Sequence, residues 1–171
     1  MATPAPPTKG TLTSSMPVRS AAFTAGIIAL AHGVNDSYAA FLSPLLPRIM
    51  EKLGLSIALA ATLAMILSLA ASLLQPLVGF LSDRYGRRVF VVLGPLLSAV
   101  FLSMIGLPSS FALLMTFLVL GGLGSAVFHP PAASMAARIS EGKGSGMRMS
   151  VFSLGGSLGF AAGPLIAVGI V

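Results

Sequence analysis

The chain has 171 residues, 56% of them hydrophobic and 8% charged, whereas a soluble domain needs roughly a quarter charged residues to cover its surface; lipid is the solvent this composition fits. The net charge is +6, but the basic residues stand in small groups between long apolar runs, the pattern of cytoplasmic loops in a membrane protein and not of a nucleic-acid surface. Cysteine is absent, which excludes disulfides and thiolate metal sites.

Residues 1–20 are rich in Pro, Thr and Ser, with Lys9 and Arg19 their only charges, and read as a disordered cytoplasmic tail. The apolar run that follows is too long for the core of a signal peptide. A helix needs about 20 apolar residues to cross a hydrocarbon core about 30 Å thick, and five stretches meet that length.

The first span, 21–46, carries His32, Asn35 and Asp36. Asp36 is the one acid expected within the hydrocarbon, since Glu51, Asp83 and Glu141 fall in loops. An ionisable group at that depth is costly and needs a partner or a water-filled cavity. His32 lies one turn earlier on the same face, and Asn35 falls within about 100° of arc of both. Burial disfavours charge on Asp36 or His32, while their mutual attraction favours it. A pair so balanced can take and release a proton near neutral pH. A structural hydrogen bond between helices is the other reading.

The second span, 57–81, runs into Gly79-Phe80-Leu81-Ser82-Asp83-Arg84-Tyr85-Gly86-Arg87-Arg88. Gly79 suits a helix end that approaches a neighbour closely, and Gly86 a tight turn with positive φ. Asp83 suits the positive end of another helix, and Arg84, Arg87 and Arg88 suit carboxylates or lipid phosphates. A basic loop with turn glycines is the plainer reading.

Spans three and four, 89–107 and 111–137, share one uncharged run divided at Pro108-Ser109-Ser110. In the fourth, His129 sits about 14 Å from the cytoplasmic end, and His32 about 17 Å in from the same side. That depth permits both to face one cavity. Pro130-Pro131 should bend the helix there and free backbone carbonyls, which a membrane tolerates only where they are satisfied again. His129 therefore reads either as part of a substrate or proton path or as a packed residue at a kink.

The fifth span, 149–171, is still apolar at Val171, and a fragment of a longer protein is expected. It carries Gly155-x-x-x-Gly159-x-x-x-Gly163-Pro164, the spacing that lets helices pack closely. Orientation follows from the cations. With the N-terminus inside, Lys9, Arg19, Arg84, Arg87, Arg88, Arg138, Lys143 and Arg148 are cytoplasmic, and only Arg48 and Lys52 lie outside.

Several look-alikes carry no chemistry. Gly155-Gly156-Ser157-Leu158-Gly159 lacks the strand-turn-helix of a nucleophile elbow. The glycosylation sequon Asn35-Asp36-Ser37 would lie inside the bilayer. Glycines 142, 144 and 146 fit no phosphate loop. No metal site is expected, because nothing in the sequence sets a third ligand beside His32 and Asp36, although His129 is of the right type.

The decapeptide at 79–88 resembles the loop 2–3 signature of the major facilitator superfamily, G-x-L-x-D-R-x-G-R-R, at every defining position. His32-x-x-x-Asp36, Leu42-Ser43-Pro44-Leu45-Leu46-Pro47, Gly124-Ser125-Ala126-Val127-Phe128-His129-Pro130 and Phe152-Ser153-Leu154-Gly155-Gly156-Ser157-Leu158-Gly159-Phe160 resemble the fosmidomycin-resistance group within it. The resemblance implies an all-α membrane fold, with five spans of the amino half of a twelve-helix carrier. It further implies proton-coupled export of a small drug-like solute across a bacterial inner membrane, with no cofactor. Asp83, Arg84 and Arg87 would gate against a C-terminal six-helix half, and spans one and four would line the path. Span five resembles the antiporter motif G-x-x-x-G-P-x-x-G-G but has Ala167 and Val168 for the last two glycines. An importer, a different solute carrier or a truncated non-transporting membrane protein are the rival readings. An intramembrane enzyme would need a convergent nucleophile and base, which are not found.

Overall fold

A computed structural model of the chain describes residues 18–139 and 145–170, and every regular element among them is an α-helix. The helices are α1 (Val18–Ala39), α2 (Leu42–Leu53), α3 (Ile57–Ser72), α4 (Gln75–Tyr85), α5 (Arg87–Ser103), α6 (Phe111–Ile139) and α7 (Ser145–Ile170). Of the expected tail, only 18–20 are described, and they open α1. Lys9 and Lys143, with Gly142 and Gly144, lie outside the described residues.

Two short breaks make seven helices out of five rods. Proline removes the bond to the carbonyl four residues back and its ring clashes there. Pro44 points this effect at Ala40 and Pro76 at Ser72, and the turns fall at Ala40–Phe41 and Leu73–Leu74. Phe41 N–H bonds instead to Tyr38 O at 3.1 Å. By contrast, α6 continues as one helix through Pro130 and Pro131.

The first rod extends to Leu53, beyond the expected end at 46. Leu42 and Ile49 are buried there, with Leu45, Leu46 and Leu53 packed beside them, so one face of α2 belongs to the core. Gly54 stops the helix at φ 62°, the left-handed conformation that glycine adopts without strain. Lys52 reaches the next connection, donating to Gly106 O at 2.7 Å and Leu107 O at 3.4 Å. The two connections that the charge pattern assigns to the outer side therefore touch.

Helix α6 is the hub, packing on α1, α3, α4, α5 and α7. Small residues set the closest approaches. A Cβ at Gly124 would lie 2.5 Å from Ser98 N, and one at Gly122 2.9 Å from Leu67 O, so α5 and α3 meet α6 backbone to backbone. Ser98 seals the first contact by donating to Gly121 O at 3.0 Å. Two apolar clusters result. One gathers Leu63, Leu67, Leu102, Leu114 and Leu118 with α2; the other gathers Ala25, Ile28, Phe128, Ala132 and Phe152.

Large apolar side chains face outward, with Phe23, Leu30, Leu73 and Leu165 all exposed. Three stretches, Ile57–Tyr85, Phe111–Ile139 and Gly146–Ile170, are long and apolar enough to cross a membrane by length and composition. This is an all-α membrane bundle.

Candidate functional site

Asp36 stands between two histidines from different helices. His32, one turn before it on α1, places Nε2 3.2 Å from Oδ2. His129 on α6 places Nε2 3.2 Å from Oδ1. The side chains are largely enclosed, at 12% exposure for His32, 18% for Asp36 and 30% for His129. Asn35 is fully buried, and its Nδ2 donates to Asp36 Oδ1 and to Ser125 Oγ, each at 3.1 Å. The polar stripe read on the first span is thus joined by His129 from the fourth.

Each imidazole is also held from behind. His32 Nδ1 lies 3.0 Å from Phe152 O on α7, and His129 Nδ1 lies 2.8 Å from Ser125 O, one turn back on α6. The carbonyl that His129 Nδ1 meets is that of Ser125, four residues back, one step before the Ala126 and Val127 carbonyls that Pro130 and Pro131 leave without a ladder donor. The His32 ring stacks on Phe152, with centroids 4.3 Å apart. The ring also faces Gly156, where a Cβ would lie 2.5 Å from His32 Nε2. Any side chain at 156 would displace the ring.

Sequence reasoning missed Gly156, Phe152 and Ser125 as members of this site. Gly156 is the one glycine of its run outside the every-fourth spacing, which was the available signal. A cavity of about 430 Å³, lined by His32, Asp36, Ser153, Gly156, Ser157 and Phe160, opens beside the cluster. Asp36 and His32 therefore face space that a solute or water can enter.

The glycine stripe on α7 lies against α1. Cβ atoms at Gly155, Gly159 and Gly163 would collide with the carbonyl oxygens of Ala29, Gly33 and Ser37 respectively. Small residues every fourth position on both helices thus interlock. Close packing here fixes α7 where its Phe152 carbonyl meets His32.

The 79–88 segment forms the end of α4, the turn and the start of α5. Gly86 adopts φ 98°, the positive φ expected of it. Arg87 donates to Asp83 Oδ1 through Nε at 2.9 Å and Nη2 at 2.6 Å. The Arg84 guanidinium lies 6.0 Å from the Tyr85 ring centre, and Arg88 is exposed. The close approach expected at Gly79 is absent. A Cβ there would meet Pro130 at 3.6 Å, an ordinary contact, because α4 crosses α6 at a proline side chain and not at its backbone.

The family model of the Major Facilitator Superfamily matches residues 6–171. The chain belongs to that superfamily. It is similar to the fosmidomycin resistance protein of Escherichia coli (strain K12), with 31% identity over 165 residues, 96% of this chain and 40% of that protein. It is also similar to the uncharacterized MFS-type transporter YfnC of Bacillus subtilis (strain 168), at 32% identity over 142 residues, 82% of this chain and 34% of the relative. The quinolone resistance protein NorA of Staphylococcus aureus (strain COL) shares 26% identity over 121 residues, 71% of this chain and 31% of the relative. The chain spans less than half the length of each of these relatives. No solved structure matches it.

Within this facilitator chain, the departure from the antiporter motif at Ala167 has a packing reason. Ala167 is 3% exposed and sits in the apolar cluster beside Tyr38 and Phe41, where its methyl fills space a glycine would leave.

Proposed function

We propose that this facilitator chain is the amino-terminal part of a bacterial inner-membrane carrier that exports a small drug-like solute in exchange for protons. The N-terminus is cytoplasmic in this reading, and the solute moves by alternating access between two halves. The observation that carries the proposal is Asp36, held 3.2 Å from both His32 and His129 beside an enterable cavity. A carboxylate inside a membrane bundle that keeps titratable partners on two helices is suited to exchanging protons as those helices shift.

His32 and Asp36 would carry the proton, Asn35 would hold the carboxylate in place, and His129 would line the path. Asp83, Arg84 and Arg87 would gate the cytoplasmic side, with Gly79, Gly86 and Arg88 shaping that loop. Gly155, Gly159, Gly163 and Pro164 would set the α1–α7 contact about which the helices move. Similarity to resistance proteins supports the drug-like substrate class and the direction.

The test is drug susceptibility of cells expressing the complete carrier with and without Asp36→Asn. Asparagine keeps the shape and removes the charge. Resistance falling to that of cells lacking the carrier is expected, with protein levels in the membrane unchanged. Full resistance in that variant would end the proton role.

A further inference from the structure

The two backbone carbonyls behind the histidines fix where the imidazole hydrogens are. A carbonyl oxygen only accepts. The Nδ1 of His32, bonded to Phe152 O, therefore carries hydrogen; the Nδ1 of His129 lies 2.8 Å from Ser125 O and 3.3 Å from Ser125 Oγ, and the shorter contact, to the carbonyl, places hydrogen on it as well. Both Nε2 atoms then turn toward Asp36, one to each carboxylate oxygen at 3.2 Å. In a neutral imidazole with Nδ1–H, Nε2 is an acceptor, and acceptors facing a carboxylate repel. A proton or a metal ion between them removes that repulsion, and a single metal ion shared by all three groups does so at both oxygens at once.

We infer that Nε2 of His32, Nε2 of His129 and the Asp36 carboxylate form a binding site for a divalent first-row transition-metal ion of the cobalt, nickel or zinc kind. Four features of the cluster carry this beyond the transport reading. The donor set is two imidazoles and one carboxylate with no thiolate, which suits those ions and not copper(I). Metal–ligand bonds of about 2.0–2.1 Å make a tetrahedral edge of about 3.3 Å, close to the two 3.2 Å nitrogen–oxygen separations. All three ligand atoms lie within 4.8 Å of one another, so side-chain rotations on the order of 1 Å complete the geometry about such an ion.

The outer partners are those a metal site requires. Metal-bound histidines characteristically donate the second ring N–H to a carbonyl or carboxylate, as both do here. The carboxylate is steadied by Asn35 Nδ2 at 3.1 Å. Finally, His32 and Asp36 line the cavity with Ser153 and Ser157, which leaves a fourth position open to water or a chelating solute.

His32 and Asp36 are the only titratable side chains among the residues lining the adjoining cavity.

The experiment is Co²⁺ titration of the full chain, purified without a histidine tag in detergent, followed by visible absorption. One Co²⁺ per chain with an intense low-symmetry ligand-field band, bleached by added Zn²⁺, is the expected result. Asn35→Ala should weaken binding about 10–100-fold, as loss of an outer partner does, and the pair His32→Gln with His129→Gln should abolish the band. Circular dichroism of the wild type establishes that the protein under test is helical. A helical wild type that shows only the weak octahedral spectrum of aqueous Co²⁺ overturns the site, whatever the variants do. A band that survives the double histidine substitution overturns it as well. No Co²⁺ band together with loss of resistance in Asp36→Asn refutes the metal site and leaves the transport reading. A Co²⁺ band together with unchanged resistance does the reverse.

Discussion

Two acid–base pairs in this bundle share a four-residue spacing, one within a helix and one across a turn, and their carboxylates have opposite surroundings. Asp83 and Arg87 meet at the α4–α5 turn with the carboxylate 61% exposed. His32 and Asp36 meet inside the bundle with the carboxylate 18% exposed, and a third group, His129, closes on it from α6. Spacing alone does not distinguish them. What differs is the solvent, which screens the first pair and leaves the second dependent on its own partners. The first joins an exposed carboxylate to an arginine that is itself 17% exposed. The second is a network whose members fix one another.

Removing each acid should expose that difference. Asp36→Ala leaves the Asn35 amide and two imidazoles facing a methyl group, and buried polar groups left without partners cost about 1–3 kcal/mol each. Destabilisation of about 3 kcal/mol is expected when unfolding is followed in a mixed-micelle SDS titration. A loss under 1 kcal/mol would mean that the cluster is wet and the comparison is broken. Asp83→Ala removes a pair whose carboxylate is solvent-exposed, worth about 0.2–1 kcal/mol, so the same titration should barely move. A cost as large as that of Asp36→Ala would show that the loop pair is structural and poorly suited to switching.

Much of this architecture was legible in the chain. The five apolar stretches and the scarcity of charge led to helices because a bilayer leaves backbone groups no other partners. Gly86 was read as a positive-φ turn from its place between Asp83 and the arginines, and it has that conformation. His32 and Asp36 were paired by local spacing, which needs no knowledge of the fold.

The rest depended on distant contacts. That His129 reaches Asp36 across 93 residues follows from how α6 rotates against α1, and depth in the membrane constrained only its height. The role of Gly156 was hidden because its neighbours Gly155 and Gly159 already explained the local glycine content through helix packing. The extension of α2 to Leu53 was obscured by Arg48, Glu51 and Lys52, which looked like a loop but lie on a helix whose opposite face is buried. Gly79 was misread because its motif position suggested close backbone contact, whereas it meets only the Pro130 side chain.

The central claim is that Asp36 binds both histidines at once, and this chain makes it directly measurable because it contains only two histidines. Nitrogen-15 NMR of the histidine-labelled protein in detergent reports each ring nitrogen separately. The account predicts Nδ1–H on both rings and a joint shift of both Nε2 signals when Asp36 becomes Asn. Two Nε2 signals that stay in place in that variant would contradict it.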